Sequence, residues 1–185
     1  MHDGRIGSQL VALNLLALCT GNAARSVMLG YMLKTLSDES GEDWAVRTAG
    51  TLVSEGHAMS GRTRNALLRI PELGHHRVNA HRSHPLSADD VEWSDVILAM
   101  EASHVLFVRN RFPDAVPKTV VFGQYLREAP LNAAVVEQVN LVASFDPDPI
   151  YDVGDPAGGD QDIYDACADQ LWEMAQIFLT LVESP

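Results

Sequence analysis

Residues 10–26 read LVALNLLALCTGNAARS. Residues 10–18 are a continuous apolar run interrupted only by Asn14, the pattern of a strand buried on both faces. The run ends in Cys19-Thr20-Gly21-Asn22-Ala23-Ala24-Arg25-Ser26. Over residues 26–37, Met28, Leu29, Met32, Leu33 and Leu36 recur at helical spacing. A buried strand that turns straight into a helix opens a parallel α/β sheet.

The rest of the chain continues the alternation. Residues 44–51 give a second strand ending in Ala-Gly-Thr, and 60–69 a helix stopped by Pro71. Residues 95–100 give a third strand, 102–111 a helix and 118–122 a fourth strand. Residues 161–182 form a long amphipathic helix. Between 125 and 154 a helix is expected at 132–144, while DPDPIYDVGDP reads as an irregular loop. The predicted fold is one three-layer α/β domain over residues 1–185, with a four-stranded parallel sheet and helices on both faces. Ligands in such sheets sit at the carboxyl ends of the strands, which here means the loop after the first strand.

The bulk numbers agree with an ordinary globular protein: 46% of residues are apolar and 21% charged. A formal charge of −12 repels phosphate backbones, so nucleic-acid binding is not expected. Two cysteines, Cys19 and Cys167, read as reduced thiols of a cytoplasmic protein rather than a disulfide framework. The apolar run before Cys19 is short for a signal-peptide core, contains Asn14 and has no small-x-small cleavage site, and no stretch is long enough to span a membrane.

The loop carries recognisable chemistry. Wrapped into a helix start, residues 20–25 point backbone N–H groups at one spot, where the helix dipole favours an anion. Arg25 can grip two oxygens of that anion with its planar fork. Cys19 lies in the same positive field, which favours its thiolate form as a nucleophile. Gly21 and Asn22 are the residue types that tolerate positive φ in such a curl. Ser26 can donate a hydrogen bond to the sulfur.

CTGNAARS resembles the phosphate loop of the low-molecular-weight protein tyrosine phosphatases, C-x-G-N-x-C-R-S-P. RTAGT at 47–51 is similar to the family's S-A-G-T, with Thr48 at the position that braces the loop asparagine. HRSHPLSADDVEWSDVILAMEASHVLFV at 81–108 resembles the stretch leading into and past the third strand, and GDPAGGDQDIYDACADQL at 154–171 resembles the general-acid loop. The resemblance implies a metal- and cofactor-free phosphomonoester hydrolase with catalytic Cys19, Arg25 and Asp155. It places phosphate on Thr20, Gly21, Asn22, Ala23, Ala24, Arg25 and Ser26, and loop support on Asn22, Ser26 and Thr48. The implied partner is a phosphorylated substrate, a phosphotyrosine protein or a small aryl phosphate.

The departures from that pattern are local. Ala24 replaces the second loop cysteine, Val27 replaces the proline after Arg-Ser, and Ala157 and Gly158 stand where many members carry tyrosines lining the phosphotyrosine cleft. Two rival readings stay open: an arsenate reductase using a small external thiol, and an inactive phosphate or phosphoprotein binder. His75, His76, His81 and His84 lack metal-ligand spacing and read as exposed loop residues. The acidic run at 155–162 lacks the spacing of a calcium loop and reads as acid complementing a helix start. Met28, Met32, Trp172 and Met174 are core candidates, Cys167 a buried helix residue, and His57 and Met59 cleft or surface-loop residues. Tyr151 and Tyr164 are candidate regulatory phosphorylation sites.

Overall fold

The computed structural model describes residues 12–73 and 78–183. His75, His76 and the first two residues of the opening apolar run lie outside the described residues. The strands are β1 (Leu13–Cys19), β2 (Trp44–Gly50), β3 (Val96–Ala99) and β4 (Thr119–Val121). The helices are α1 (Arg25–Ser40), α2 (Gly61–Leu68), α3 (Ala88–Trp93), α4 (Ala102–Arg111), α5 (Phe122–Glu128), α6 (Val135–Ala143) and α7 (Gln161–Glu183).

All strand pairs are parallel and the four strands stand in the order β2-β1-β3-β4. The chain leaves β1 to one side for β2 and returns to the other side for β3, so the order reverses at β1. That reversal opens a crevice at the carboxyl ends of β1 and β3.

The continuous apolar run of β1 is explained by its two covered faces. Leu13, Leu15, Ala17 and Cys19 point into a large core with α1 and α7, whereas Leu16 and Leu18 point into a second cluster with Ile97, Val108 and Ala115. In the larger core, Phe178 of α7 packs edge-on against Trp44 and Phe122, with ring centroids 5.3 and 6.1 Å away. Met28 and Met32 are buried there, Trp172 and Met174 half-buried against it, and Cys167 is buried.

Gly50 closes β2 where no side chain fits. A Cβ there would stand 2.6 Å from the Thr20 carbonyl oxygen and 3.0 Å from the Asn22 nitrogen. The Ala-Gly-Thr ending therefore lets β2 lie directly against the loop after β1. Thr51 N–H donates to the Cys19 carbonyl at 2.9 Å and Leu52 N–H to the Thr20 carbonyl at 3.0 Å.

Two short helices were not readable from periodicity. The fourth strand ends at Val121 rather than Phe122, because Phe122 opens α5 with no intervening loop and turns inward with Tyr125. Seven residues of α5 and six of α3 are too few to display a helical stripe. The helix expected at 132–144 is Val135–Ala143, and the irregular segment after it contains a 3₁₀ turn at Pro149–Tyr151.

Candidate active site

Asn22 is the structural centre of the loop between β1 and α1. It adopts φ 46° and is fully buried. Its Nδ2 donates to Ser26 Oγ at 3.0 Å and to Thr48 Oγ1 at 2.9 Å, and its Oδ1 accepts the His84 backbone N–H at 2.9 Å. Its backbone carbonyl accepts from His81 Nε2 at 2.8 Å. Burial outweighs that bond and lowers the His81 pKa. Thr63 of α2 closes the frame by donating to the Ala23 carbonyl at 2.8 Å.

His81 and His84 thus correct the expectation of exposed loop histidines. Both are part-buried and hold the loop, and His84 Nε2 donates to the buried Asp90 carboxylate at 2.8 Å. Their bonds run largely to and from backbone groups, which no residue spacing reveals.

The same network reaches Cys19. Ser26 Oγ accepts from Asn22 and lies 3.0 Å from the Cys19 sulfur, a contact in which either the thiol or the hydroxyl can be the donor. If the sulfur is deprotonated, the hydroxyl is the only one of the two that can donate, which stabilises a thiolate as nucleophile and as leaving group. The Ala24 N-cap makes no side-chain hydrogen bond and no acidic residue lies in the first turn of α1, so no carboxylate there competes for the helix-start amides.

Arg25 is buried to 1% exposure and is held by acceptors from three segments. Nη1 pairs with Glu101 and donates to the Val153 carbonyl at 2.9 Å. Nη2 stands 2.7 Å from Asp155 Oδ2 and 3.4 Å from Thr20 Oγ1. A guanidinium this deep requires such partners, since leaving it unpaired would cost roughly 3–5 kcal/mol. Burial tends to raise the Glu101 pKa, but the hydrogen bond and charge of Arg25 outweigh it and hold the carboxyl below its ordinary value. Asp155 also accepts the Ala157 N–H at 3.0 Å, a turn contact that fixes its loop. The two carboxylates thus bracket the guanidinium, Glu101 at Nη1 and Asp155 at Nη2.

Cys19, Arg25, Asp155, Ser26, Asn22 and Thr48 come together at the crevice, with Thr20, Gly21, Ala23 and Ala24 forming the loop between them. Glu101 and His104 join them without having been singled out in the sequence. The available signal was an acid just past a buried strand, at the edge of the sheet where ligands bind.

His104 is buried, and that burial lowers its pKa to about 4. Unfolded, the imidazole takes its proton near the ordinary 6.5; folded, it does so only near 4. Stability from this group is complete above the unfolded value and is lost as pH falls from there toward the folded one. Thermal midpoints at about pH 7 and about pH 5 should therefore drop more in the native protein than in His104→Asn. An equal drop would refute the buried neutral ring.

Other candidates fall outside this cluster. His57 is exposed, and Met59 packs against the larger core rather than standing free. Tyr164 is buried at 7% exposure, which corrects its reading as a phosphorylation site. Tyr151 is part-buried and donates to Glu128 at 3.3 Å. Burial pushes the Cys167 thiol up to about 11, unsuited to thiolate chemistry. Among the described residues no group of three or more His, Cys, Asp and Glu side chains could hold a metal ion, and no helix is long and apolar enough to cross a membrane.

Comparison with known proteins agrees with this geometry. The family described as low molecular weight phosphotyrosine protein phosphatase matches residues 14–137. A protein-arginine-phosphatase of Geobacillus stearothermophilus is 30% identical over 157 residues, covering 85% of this chain and 87% of that protein. Among solved structures, a YwlE mutant from Bacillus subtilis superposes with a TM-score of 0.75 at 25% identity, over 93% of this chain and 99% of the other. A low molecular weight protein tyrosine phosphatase from T. tengcongensis shares the fold with a TM-score of 0.73 at 24% identity, over 91% of this chain and 98% of the other.

Proposed function

We propose, for a chain that belongs to the low-molecular-weight phosphotyrosine protein phosphatase family, a phosphocysteine mechanism acting on phosphorylated protein side chains. The observation that carries it is the Cys19 sulfur at one end of the loop, 3.0 Å from Ser26 Oγ, with the buried Arg25 fork at the other end. The Cys19 thiolate attacks phosphorus in line, forming an S–P bond as the bond to the leaving atom breaks. Asp155 gives that atom its proton. Arg25 and the amides of residues 20–25 hold the equatorial oxygens, most tightly in the transition state. The ionised Asp155 then takes a proton from water, whose oxygen attacks phosphorus and releases the thiolate and inorganic phosphate. Glu101 and the Val153 carbonyl hold the Nη1 arm of Arg25, so the guanidinium is oriented before the substrate arrives.

The family name points to phosphotyrosine, and the names of relatives point to phosphoarginine. One local feature favours the second reading: Ala157 is exposed and Gly158 sits at φ 85°, so no aromatic wall follows Asp155. Phosphoarginine has no ring to stack, and its bridging nitrogen needs a proton to depart. A reducing cytoplasm suits a protein with two unpaired thiols.

The test is metal-free hydrolysis of p-nitrophenyl phosphate, a phosphotyrosine peptide and a phosphoarginine peptide, with arsenate and a small thiol assayed in parallel. Phosphatase turnover with the phosphoarginine peptide preferred is the expected result. Phosphate binding without turnover would establish the inactive binder, and thiol-dependent arsenate reduction alone would establish the reductase.

A further inference from the structure

We propose, building on the phosphatase reading, that the Thr20 hydroxyl is an additional donor to the bound oxyanion and that His104 is the positioning residue that aims it. His104 is the third residue of α4, with its ring turned back toward Glu101. Its Nδ1 accepts the Glu101 backbone N–H at 3.1 Å, so the one hydrogen of the neutral imidazole is on Nε2. Nε2 lies 2.9 Å from Thr20 Oγ1 and therefore donates to it. Arg25 Nη2 approaches the same oxygen at 3.4 Å.

A hydroxyl has two lone pairs and one hydrogen. On Thr20 both lone pairs face donors, and among the described residues no acceptor takes the hydrogen. Thr20 is part-buried beside Cys19, at the crevice where Arg25 would hold the anion. The hydrogen is thus left for a phosphoryl oxygen. Because burial keeps His104 neutral down to about 4, its donor direction does not reverse over the working pH range. A hydroxyl whose rotor is fixed before the ligand arrives needs no reorganisation in the transition state.

Two substitutions separate this role from the capping role of the same ring. The side-chain oxygen of His104→Asn can accept the Glu101 N–H in place of Nδ1, but its amide cannot reach Thr20. The longer amide of His104→Gln can place an N–H where Nε2 stood. Tungstate affinity by calorimetry, kcat and KM on p-nitrophenyl phosphate, and thermal midpoints should be measured together.

Thr20→Val should weaken tungstate binding about tenfold or more and lower kcat more than it raises KM. His104→Asn should show a smaller loss of the same kind with its thermal midpoint retained, and His104→Gln should recover most of that loss. The double variant Thr20→Val/His104→Asn should behave like Thr20→Val alone. The proposal is overturned if Thr20→Val binds and turns over like the native protein, if His104→Gln is no better than His104→Asn, or if the two losses multiply. A native protein that binds tungstate but hydrolyses nothing would end the phosphatase reading instead, and the tungstate affinities would still decide the role of Thr20 and His104.

Discussion

Cys19→Ser should lower p-nitrophenyl phosphate hydrolysis by about 10⁴-fold or more, the scale on which losing a catalytic nucleophile acts. The exchange is nearly isosteric at a buried strand end, so β1 and its two cores keep their packing. A serine hydroxyl at neutral pH is a far weaker nucleophile than a thiolate, and Ser26 has no anion left to stabilise. The amides of residues 20–25 and the Arg25 fork do not depend on sulfur. Phosphate or tungstate should therefore bind the variant at least as tightly as the native protein, since a negative charge beneath the anion is gone. Turnover and calorimetry on one preparation give the answer. A variant that keeps a tenth of the native rate would place the nucleophile elsewhere, and one that loses both turnover and binding would show a collapsed loop. Arg25→Ala is a poorer test, because it strips Glu101 and Asp155 of their shared partner and damages the frame together with the cradle.

The β1–loop–α1 unit was legible because each part has a local cause. Burial on both faces makes β1 apolar throughout, the left-handed turn calls for a residue such as Asn22, and an anion cradle ends in a fork such as Arg25. Glu101 and His104 were not legible because their roles exist only once the sheet is assembled. They lie 76 and 84 residues from their loop partners and reach them because β3 pairs beside β1. The loop contacts of His81 and His84 are hidden from the sequence for a related reason. A histidine that donates to a backbone carbonyl, as His81 does to Asn22, leaves no periodic trace in the sequence. Short α3 and α5 failed on length alone.

Asp155→Asn should move binding and turnover in opposite directions. The replacement keeps an oxygen for the Ala157 N–H, so the turn at Pro156 should persist. It removes one carboxylate charge from Arg25 Nη2, which Asp155 engages at 2.7 Å. An incoming oxyanion then displaces a weaker rival, and phosphate affinity should rise. Turnover should fall, because an amide can neither protonate a leaving atom nor take a proton from water. The loss in kcat should be on the order of 10²–10⁴, the range for a positioned acid–base group, and should depend on the leaving group. p-Nitrophenolate departs without help, so its release should suffer least, and a burst of it should precede slow hydrolysis of the phosphocysteine. Phenyl phosphate, whose leaving oxygen is more basic, should suffer most. Stopped-flow traces for the two esters, together with phosphate calorimetry, separate these effects. Equal losses on both esters with no gain in phosphate affinity would reduce Asp155 to a turn residue before a proline, and the leaving-group proton would have to come from Glu101 or from solvent.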